Sequence, residues 1–385
     1  MARDASVPVR PFYLIGHNTN SLAEIRTGLE RGLNAFEIDV NEDARGLLYV
    51  SHDRVDEPWL PGGEPAPRVG PFLTELGRLA HSPAGQAIAL VIFDCKVARP
   101  ELALALLDAV RSELTHGGTS LHVIFSVPSL RAAETFFASL HGRLTDHEAL
   151  MIDEEDDAHR VAGFFADQGV ARAAYGNGIS SVLGFGLPSP SLVWQMDLAL
   201  ALVAAGSLRF VYPWVLVAEK TLRAFVRSGV HGAMVDVERA APFARVLGEP
   251  EFANEIRPAS RDDDPLAERA ALVLEVRTAD VSHAGTDATV TFSLTAADGR
   301  VFTHTVDGFF NGRFERNSVT FVTLFGVALA PGQVRSITVS HDGAGLGPDW
   351  CLASITLRTR GHEPSHVVFD CEVTRDRPAT RDCPA

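Results

Sequence analysis

At 385 residues and 41.4 kDa the chain is too long for one small domain and has room for a large core plus a smaller one. With 46% hydrophobic residues, 22% charged residues and a mean hydropathy of +0.08 it can bury a sizeable interior, which excludes a mainly disordered or fibrous protein. Its 49 acidic residues against 34 basic ones leave a net charge of −15, so no long-range field draws nucleic-acid phosphates and a nucleic-acid partner is not expected.

The N-terminus, Met1 to Arg10, carries Asp4 and Pro8 and lacks the basic, apolar, small-residue succession of a secretion signal. This reads as a cytoplasmic protein or as a chain that begins after cleavage. Apolar Phe12 to Ile15, the amphipathic stretch Ser21 to Arg31 and apolar Ala35 to Val40 then predict a βαβ opening. The pattern returns as Ile88 to Phe93 before helical Pro100 to Leu114, Leu121 to Phe125 before Leu130 to Leu140, and Ala149 to Ile152 before Ala158 to Gln168. Ser180 to Leu183, helical Leu192 to Ala205, Arg209 to Tyr212, helical Ala218 to Ser228 and Gly232 to Val237 complete it. About eight strands over roughly 240 residues is the size of an α/β (β/α)₈ TIM barrel. None of the apolar runs reaches the eighteen residues of a membrane span.

From Arg257 to Glu268 the text turns polar, with Asp262, Asp263, Asp264 and Pro265 in succession, and the domain boundary is placed there, dividing the chain into 1–264 and 265–385. Beyond it Ala271 to Arg277, Thr289 to Leu294, Val319 to Leu324, Val334 to Ser340 and Leu352 to Thr359 alternate apolar and polar residues between turns. That period predicts an antiparallel β-sandwich. The four cysteines, Cys95, Cys351, Cys371 and Cys383, lack zinc-site spacing and allow one or two disulfides at most.

In a parallel barrel the chemistry lies at the C-terminal ends of the strands. There the first strand ends in Gly16-His17-Asn18-Thr19-Asn20, the second carries Glu37 and Asp39, a short strand after it ends at His52, and the third ends in Asp94 with Lys96 beyond. Glu37 and Asp39, two apart on a strand, face the same way, and Asp94 arrives from the neighbouring strand. Three oxygen ligands without thiolate or imidazole suit a hard ion, Mg²⁺ or Ca²⁺. His17 and His52 are then free as acid and base, and Lys96 can neutralise a phosphate oxygen, a set that fits phosphodiester cleavage. The acidic run Asp153 to Asp157 reads as a solvated helix start.

Gly16-His17-Asn18-Thr19-Asn20, the stretch Gly32 to Val40, Ser51-His52-Asp53 and Val91 to Lys96 resemble the sphingomyelinase D/phospholipase D toxins, a branch of the glycerophosphodiester phosphodiesterase-like barrels. Ala259 to Leu266 is similar to the A-T-x-x-D-N-P-W tail that ends the barrel in that branch. The resemblance implies His17 and His52 as the acid/base pair, Glu37, Asp39 and Asp94 as Mg²⁺ ligands, and Asn20 and Lys96 in support. It also implies Trp214 as a pocket wall, Asp236 in the place of a family Asn, and secretion. Three departures stand beside it. The Cys-rich loop after the second histidine is replaced by Asp53 to Pro67, which contains Trp59; the W-Q-S-D-G segment has no match around Ala173 to Ser181; and the Asp expected after the pocket tryptophan reads as Val217 or Glu219.

Residues from about 270 onward resemble the PLAT/LH2 sandwich, on Leu274 to Asp280, Ala284 to Ala288, Phe314-Glu315-Arg316, Ile337 to Asp342 and Pro348-Asp349-Trp350. Such domains present loops to lipid or protein partners, sometimes with Ca²⁺, although Asp280, Asp287, Asp342 and Asp349 are also ordinary turn residues. The expectation is a monomeric, Mg²⁺-dependent phospholipase D-like phosphodiesterase that cleaves the headgroup of a sphingo- or lysophospholipid. The PLAT domain would meet the membrane surface, and a cyclic phosphate or a hydrolysed product would result. The alternatives are a glycerophosphodiesterase acting on soluble diesters and a catalytically silent lipid- or protein-binding module.

Overall fold

The computed structural model describes residues 3–4, 8–53, 66–97, 99–116, 121–153, 157–178, 188–308, 313–345, 347 and 349–384. Eight parallel strands form the first unit: β1 Arg10–His17, β2 Ala35–Glu42, β3 Leu90–Cys95, β4 His122–Val127, β5 Glu148–Ile152, β6 Ala173–Gly178, β7 Phe210–Trp214 and β8 Gly232–Asp236. They run in the order β8-β1-β2-β3-β4-β5-β6-β7. The ring is brought nearly closed by His231 N donating to Val211 O at 2.9 Å and Leu216 N to Met234 O at 2.8 Å. Around it lie α1 Leu22–Glu30, α2 Val69–His81, α3 Pro100–Ala109, α4 Leu130–Leu140, α5 Ala158–Asp167, α6 Pro190–Ala205, α7 Glu219–Ser228 and α8 Ala240–Leu247. The first unit is therefore a TIM-type barrel.

Side-chain alternation sets up everything at the rim. Tyr13 and Ile15 on β1, Ala35 on β2, Leu90 and Ile92 on β3, Ala149 and Met151 on β5, Phe210 and Tyr212 on β7 and Met234 on β8 pack together in the interior. The other parity, with Phe12, Leu14, Phe36, Ile38, Val91 and Phe93, packs under the helices. Continued two residues further, the inward file becomes polar on six strands: His17, Glu37 and Asp39, Asp94, Ser126, Asp153 and Asp236.

The opposite mouth is closed by residues 256–266. Ile256–Pro258 adds a short parallel strand beside β1. Asn34 then donates to Phe12 O at 3.0 Å and Ala259 O at 3.1 Å, while its Oδ1 accepts from Leu14 N at 2.8 Å. Arg261 donates to Ala80 O at 2.9 Å and Gly85 O at 2.7 Å, and Leu266 joins the interior cluster.

The sixth strand differs from the expectation. It is Ala173–Gly178, whereas Ser180 to Leu183 lie outside the described residues. Small residues at Ala173, Ala174, Gly176 and Gly178 disguise it, because this strand yields space to its neighbours: a Cβ on Gly176 would sit 1.9 Å from an Asp153 carboxylate oxygen, and one on Gly178 would sit 2.1 Å from the Trp214 ring. Helix α2 was not foreseen; its Pro71 lies in the first turn, where proline is tolerated. Helix α8 was not foreseen either.

The second unit is a sandwich of β9 Ala271–Thr278, β10 Thr289–Ala296, β11 Arg300–Asp307, β12 Val319–Phe325, β13 Val334–His341, β14 Trp350–Arg358, β15 Ser365–Val373 and β16 Ala379–Asp382. One sheet runs β12-β9-β14-β15, and the other β11-β10-β13-β16 with Arg3–Asp4 added in parallel at the β11 edge. Three of these strands, β11, β15 and β16, were not among the stretches the sequence pattern predicted. All four cysteines are free thiols, and no helix among the described residues is long and apolar enough to cross a membrane.

Helix α6 is buried on nearly every side because it lies between the barrel wall and strands β9 and β12 of the sandwich. At this seam Arg313 makes a two-pronged ion pair with Asp197 on α6, with both bonds at 2.6 Å, and donates to Ser228 Oγ at 2.6 Å. The two side chains are only 3% and 4% exposed. Burial pushes the Asp197 carboxyl up, and the guanidinium opposes that. Removing one partner strands the other charge out of water. Asp197→Ala is therefore expected to lower unfolding stability by about 3–5 kcal/mol in urea titration, and Asp197→Leu combined with Arg313→Met to recover most of that loss.

Candidate active site

The registry of β2 against β3 pairs Asp39 with Asp94, so these two inward carboxylates stand side by side at one height. Glu37 lies one inward step below Asp39. One carboxylate oxygen from each of Glu37, Asp39 and Asp94 falls within 4.8 Å of the others, and all three residues are buried. The β1–α1 turn shapes the cluster from the adjacent strand. Asn18, in the left-handed region at φ 49°, donates its backbone N–H to Glu37 Oε2 at 2.6 Å, and Thr19 Oγ1 donates to Glu37 O at 2.6 Å. Asn20 grips Asp39 at both ends: its Nδ2 donates to Oδ2 at 2.6 Å and its Oδ1 accepts from the backbone N–H at 2.9 Å. Ser21 then begins α1 in a capping box with Glu24, so the turn is held by the helix that follows it.

Lys96 is the cation that the ion pairs place among the three buried carboxylates, its Nζ 2.5 Å from Asp94 Oδ2 and 3.0 Å from Asp39 Oδ1. Burial, then Asp39 and then Asp94, hold the Glu37 carboxyl well above the usual range. Asp94 and Asp39 in turn hold the Lys96 ammonium charged against the cost of its own burial. Asp39 Oδ1, fully buried, accepts no well-formed hydrogen bond. An all-oxygen donor set with surplus negative charge and an under-used buried carboxylate oxygen fits a divalent hard cation.

His17 ends β1, one residue beyond the paired Gly16 and Phe36, and Asp236 pairs with it across β8 and β1. Its Nδ1 lies 3.0 Å from Asp236 Oδ1, and this hydrogen bond holds the Asp236 carboxyl below its ordinary value. His52 follows the short strand Leu48–Val50, whose chain runs antiparallel to the end of β2. There Ser51 N donates to Asp39 O at 3.1 Å and Asn41 Nδ2 to His52 O at 3.4 Å, so the second histidine sits over the same rim. Its Nδ1 is 3.0 Å from Asp53 Oδ1, and the side chain is half exposed. Both imidazoles thus have Nδ1 engaged by an aspartate.

Across the rim, Tyr212 OH donates to Asp153 Oδ2 at 2.9 Å and Trp214 Nε1 to Asp153 O at 2.9 Å. Burial, then the charges of Asp153 and Glu37, push the Tyr212 phenol up and keep it a donor. Asp153 is a correction: it is a buried strand-end residue, whereas Asp157 behaves as a helix start, capping α5 through His159 N at 3.0 Å. The strand parity of Ala149 and Met151 was the signal that would have found it. Residues 154–156 lie outside the described residues, as does Trp59. Of the sandwich aspartates, Asp342 accepts from Thr289 N and Ala344 N as a turn residue, and Asp280 pairs with Arg316.

The dermonecrotic toxin SPH family model matches residues 8–55, the segment that carries His17, Glu37, Asp39 and His52, and the PLAT/LH2 domain model matches residues 272–381. A dermonecrotic toxin of Loxosceles arizonica is 26% identical over 286 residues, covering 66% of this chain and 88% of the toxin. Dermonecrotic toxin SPH of Ixodes scapularis is 27% identical over 285 residues, covering 66% of this chain and 76% of its own. The second unit is 37% identical over 96 residues to the allene oxide synthase-lipoxygenase protein of Plexaura homomalla, of which this chain spans 9%. Over its first unit the chain is similar to the sphingomyelinase D/phospholipase D toxins, and it is a phospholipase D-like phosphodiesterase barrel that carries a PLAT/LH2 domain.

Proposed function

We propose that the protein is a Mg²⁺-dependent phosphodiesterase that removes the headgroup of a sphingo- or lysophospholipid by acid-base catalysis between His17 and His52. The observation that carries this reading is the buried Glu37, Asp39 and Asp94 cluster beside a histidine already oriented by a carboxylate. Glu37, Asp39 and Asp94 would hold the ion, which when bound supplies positive charge to a phosphate oxygen. Asn20 fixes the Asp39 carboxylate. Lys96, beside Asp94 and Asp39, would neutralise a substrate phosphate oxygen. His17, with Nδ1–H donating to Asp236, presents Nε2 as the base that takes the proton of the attacking hydroxyl. Asp236 holds that tautomer and steadies the imidazolium that forms. His52 returns a proton to the leaving alcohol.

Trp214 and Tyr212, held by Asp153, form the wall against which the headgroup rests. When the attacking hydroxyl is the substrate's own, the product is a cyclic phosphate and the reaction is a lyase; when it is water, the product is a monoester. The PLAT/LH2 domain supports access to lipid at a membrane surface, and the toxin relatives support a secreted protein. We divide the chain at 264/265, with Arg3–Asp4 tied to the second unit.

In ³¹P NMR with Mg²⁺, sphingomyelin or lysophosphatidylcholine is expected to give a new phosphate resonance that is lost with EDTA and falls by about 10²–10⁴-fold in His17→Ala. Turnover of glycerophosphocholine alone would move the assignment to soluble diesters. Asp236→Ala is expected to lower kcat by at least tenfold with little change in KM, because it acts through His17. Since the folded protein raises the Glu37 pKa, the metal-free form binds protons more tightly than the unfolded chain. Its stability therefore falls as pH rises above the ordinary glutamate range, by up to about 1.4 kcal/mol per pH unit. Melting curves in EDTA should show this slope, while Mg²⁺ or Glu37→Gln should flatten it.

A further inference from the structure

Below the barrel, on the side away from the catalytic rim, a cavity of about 480 Å³ lies between the sandwich, the start of β1 and the end of α7. Its charged and imidazole lining is Arg10, Arg227, Arg269, His304, Glu255 and Glu268. Several of these groups are already satisfied. Arg227 pairs with Glu251 at 2.9 Å, and Glu268 is taken by Arg209 at 2.7 Å and Arg360 at 3.1 Å. Arg10 donates to Val226 O at 2.6 Å and Val230 O at 2.5 Å, carbonyls that end α7. Arg269 is different. Both of its terminal guanidinium nitrogens are buried with no acceptor among the described residues, and the same holds for His304 Nε2.

These groups act on one another. Burial and then the neighbouring Arg269 bring the Arg10 guanidinium down to about 10, and burial brings Arg269 down to about 10 as well. Burial followed by Arg10 brings His304 down to about 4. The carboxylate left to face this set is Glu255, itself pushed up by burial. A buried guanidinium with two idle donor nitrogens is costly, and the fork geometry of arginine suits two oxygens of one tetrahedral or planar anion.

We propose that this seam is a binding site for a phosphate-type oxyanion, held by the Arg269 fork with Arg10 and His304 beside it. Phe302, Leu324 and Phe325 form an apolar wall beside these groups, so the same phosphate chemistry is available to a free ion or to a short lipid monoester. Because the cavity is walled by both units, a bound anion strengthens their seam. The site uses no residue of the catalytic rim and does not depend on the proposed reaction.

The test is thermal unfolding of the full chain in EDTA, comparing inorganic phosphate with chloride at matched ionic strength. Phosphate well above its Kd is expected to raise Tm by about 2–4 °C in the wild type. Arg269→Met should abolish the shift while leaving the phosphate-free Tm equal or higher. Arg269→Lys, which keeps the charge and loses the fork, should at least halve the shift and provides the reading if the methionine variant fails to fold. A larger shift with hexanoyl lysophosphatidate below its micelle concentration assigns the site to a lipid phosphate, and an equal or smaller one assigns it to the free ion. No shift in the wild type, or an undiminished shift in both Arg269 variants, overturns the proposal.

Discussion

Three carboxylates that share a buried space with one lysine are the feature around which the barrel is organised. Like charges at this distance repel in a medium that screens them poorly, and the fold tolerates them only because their surroundings leave no alternative orientation. Glu37 and Asp39 are pinned by strand parity, Asp94 by registry with Asp39, and the β1–α1 turn clamps both β2 residues with backbone and amide donors. The site thereby stores an electrostatic demand for a cation. The surrounding elements that hold it, the Asn20 clamp, the capping box at Ser21 and the closed floor at Asn34 and Ala259, serve that constraint.

The second domain answers a different problem. Helix α6 is too apolar to face water, with Leu192, Val193, Met196, Leu198, Leu200 and Val203 buried around its circumference. The sandwich covers it, and the Arg313 pair with Asp197 fixes where the cover sits. The chain's own start, at Arg3–Asp4, completes the edge of the sandwich sheet. The two units are therefore tied by apolar area, by a buried ion pair and by the chain itself, which gives the seam a defined shape and brings Arg269 and His304 together.

Much of the site was legible because alternation is a local property. A strand that reads Ala35-Phe36-Glu37-Ile38-Asp39 declares that both acids share a face, whatever the fold, and His17 and Asp94 follow apolar runs in the same way. The same rule, carried through β5 and β8, leads to Asp153 and Asp236. Asp153 was hidden by the acidic residues after it, which suggested a solvated helix start. Strand β6 was hidden for the opposite reason: its glycines and alanines have almost no pattern, since their role is to leave room for Asp153 and Trp214.

The sequence by itself determined the strands β1–β5, β7 and β8 with helices α1 and α3–α7, the change to a two-residue period after the polar 257–268 stretch, and the acid, histidine and lysine inventory of the rim. These follow from periodicity and residue chemistry within a few neighbours. The tertiary structure decided which charges meet. The Asp236 contact to His17, the Tyr212 contact to Asp153 and the Arg313 pair with Asp197 join residues 59 to 219 positions apart, and the idle guanidinium of Arg269 depends on what fails to arrive there among the described residues. Distance along the chain carries no information about such meetings, because closure of the barrel and docking of the sandwich create them together.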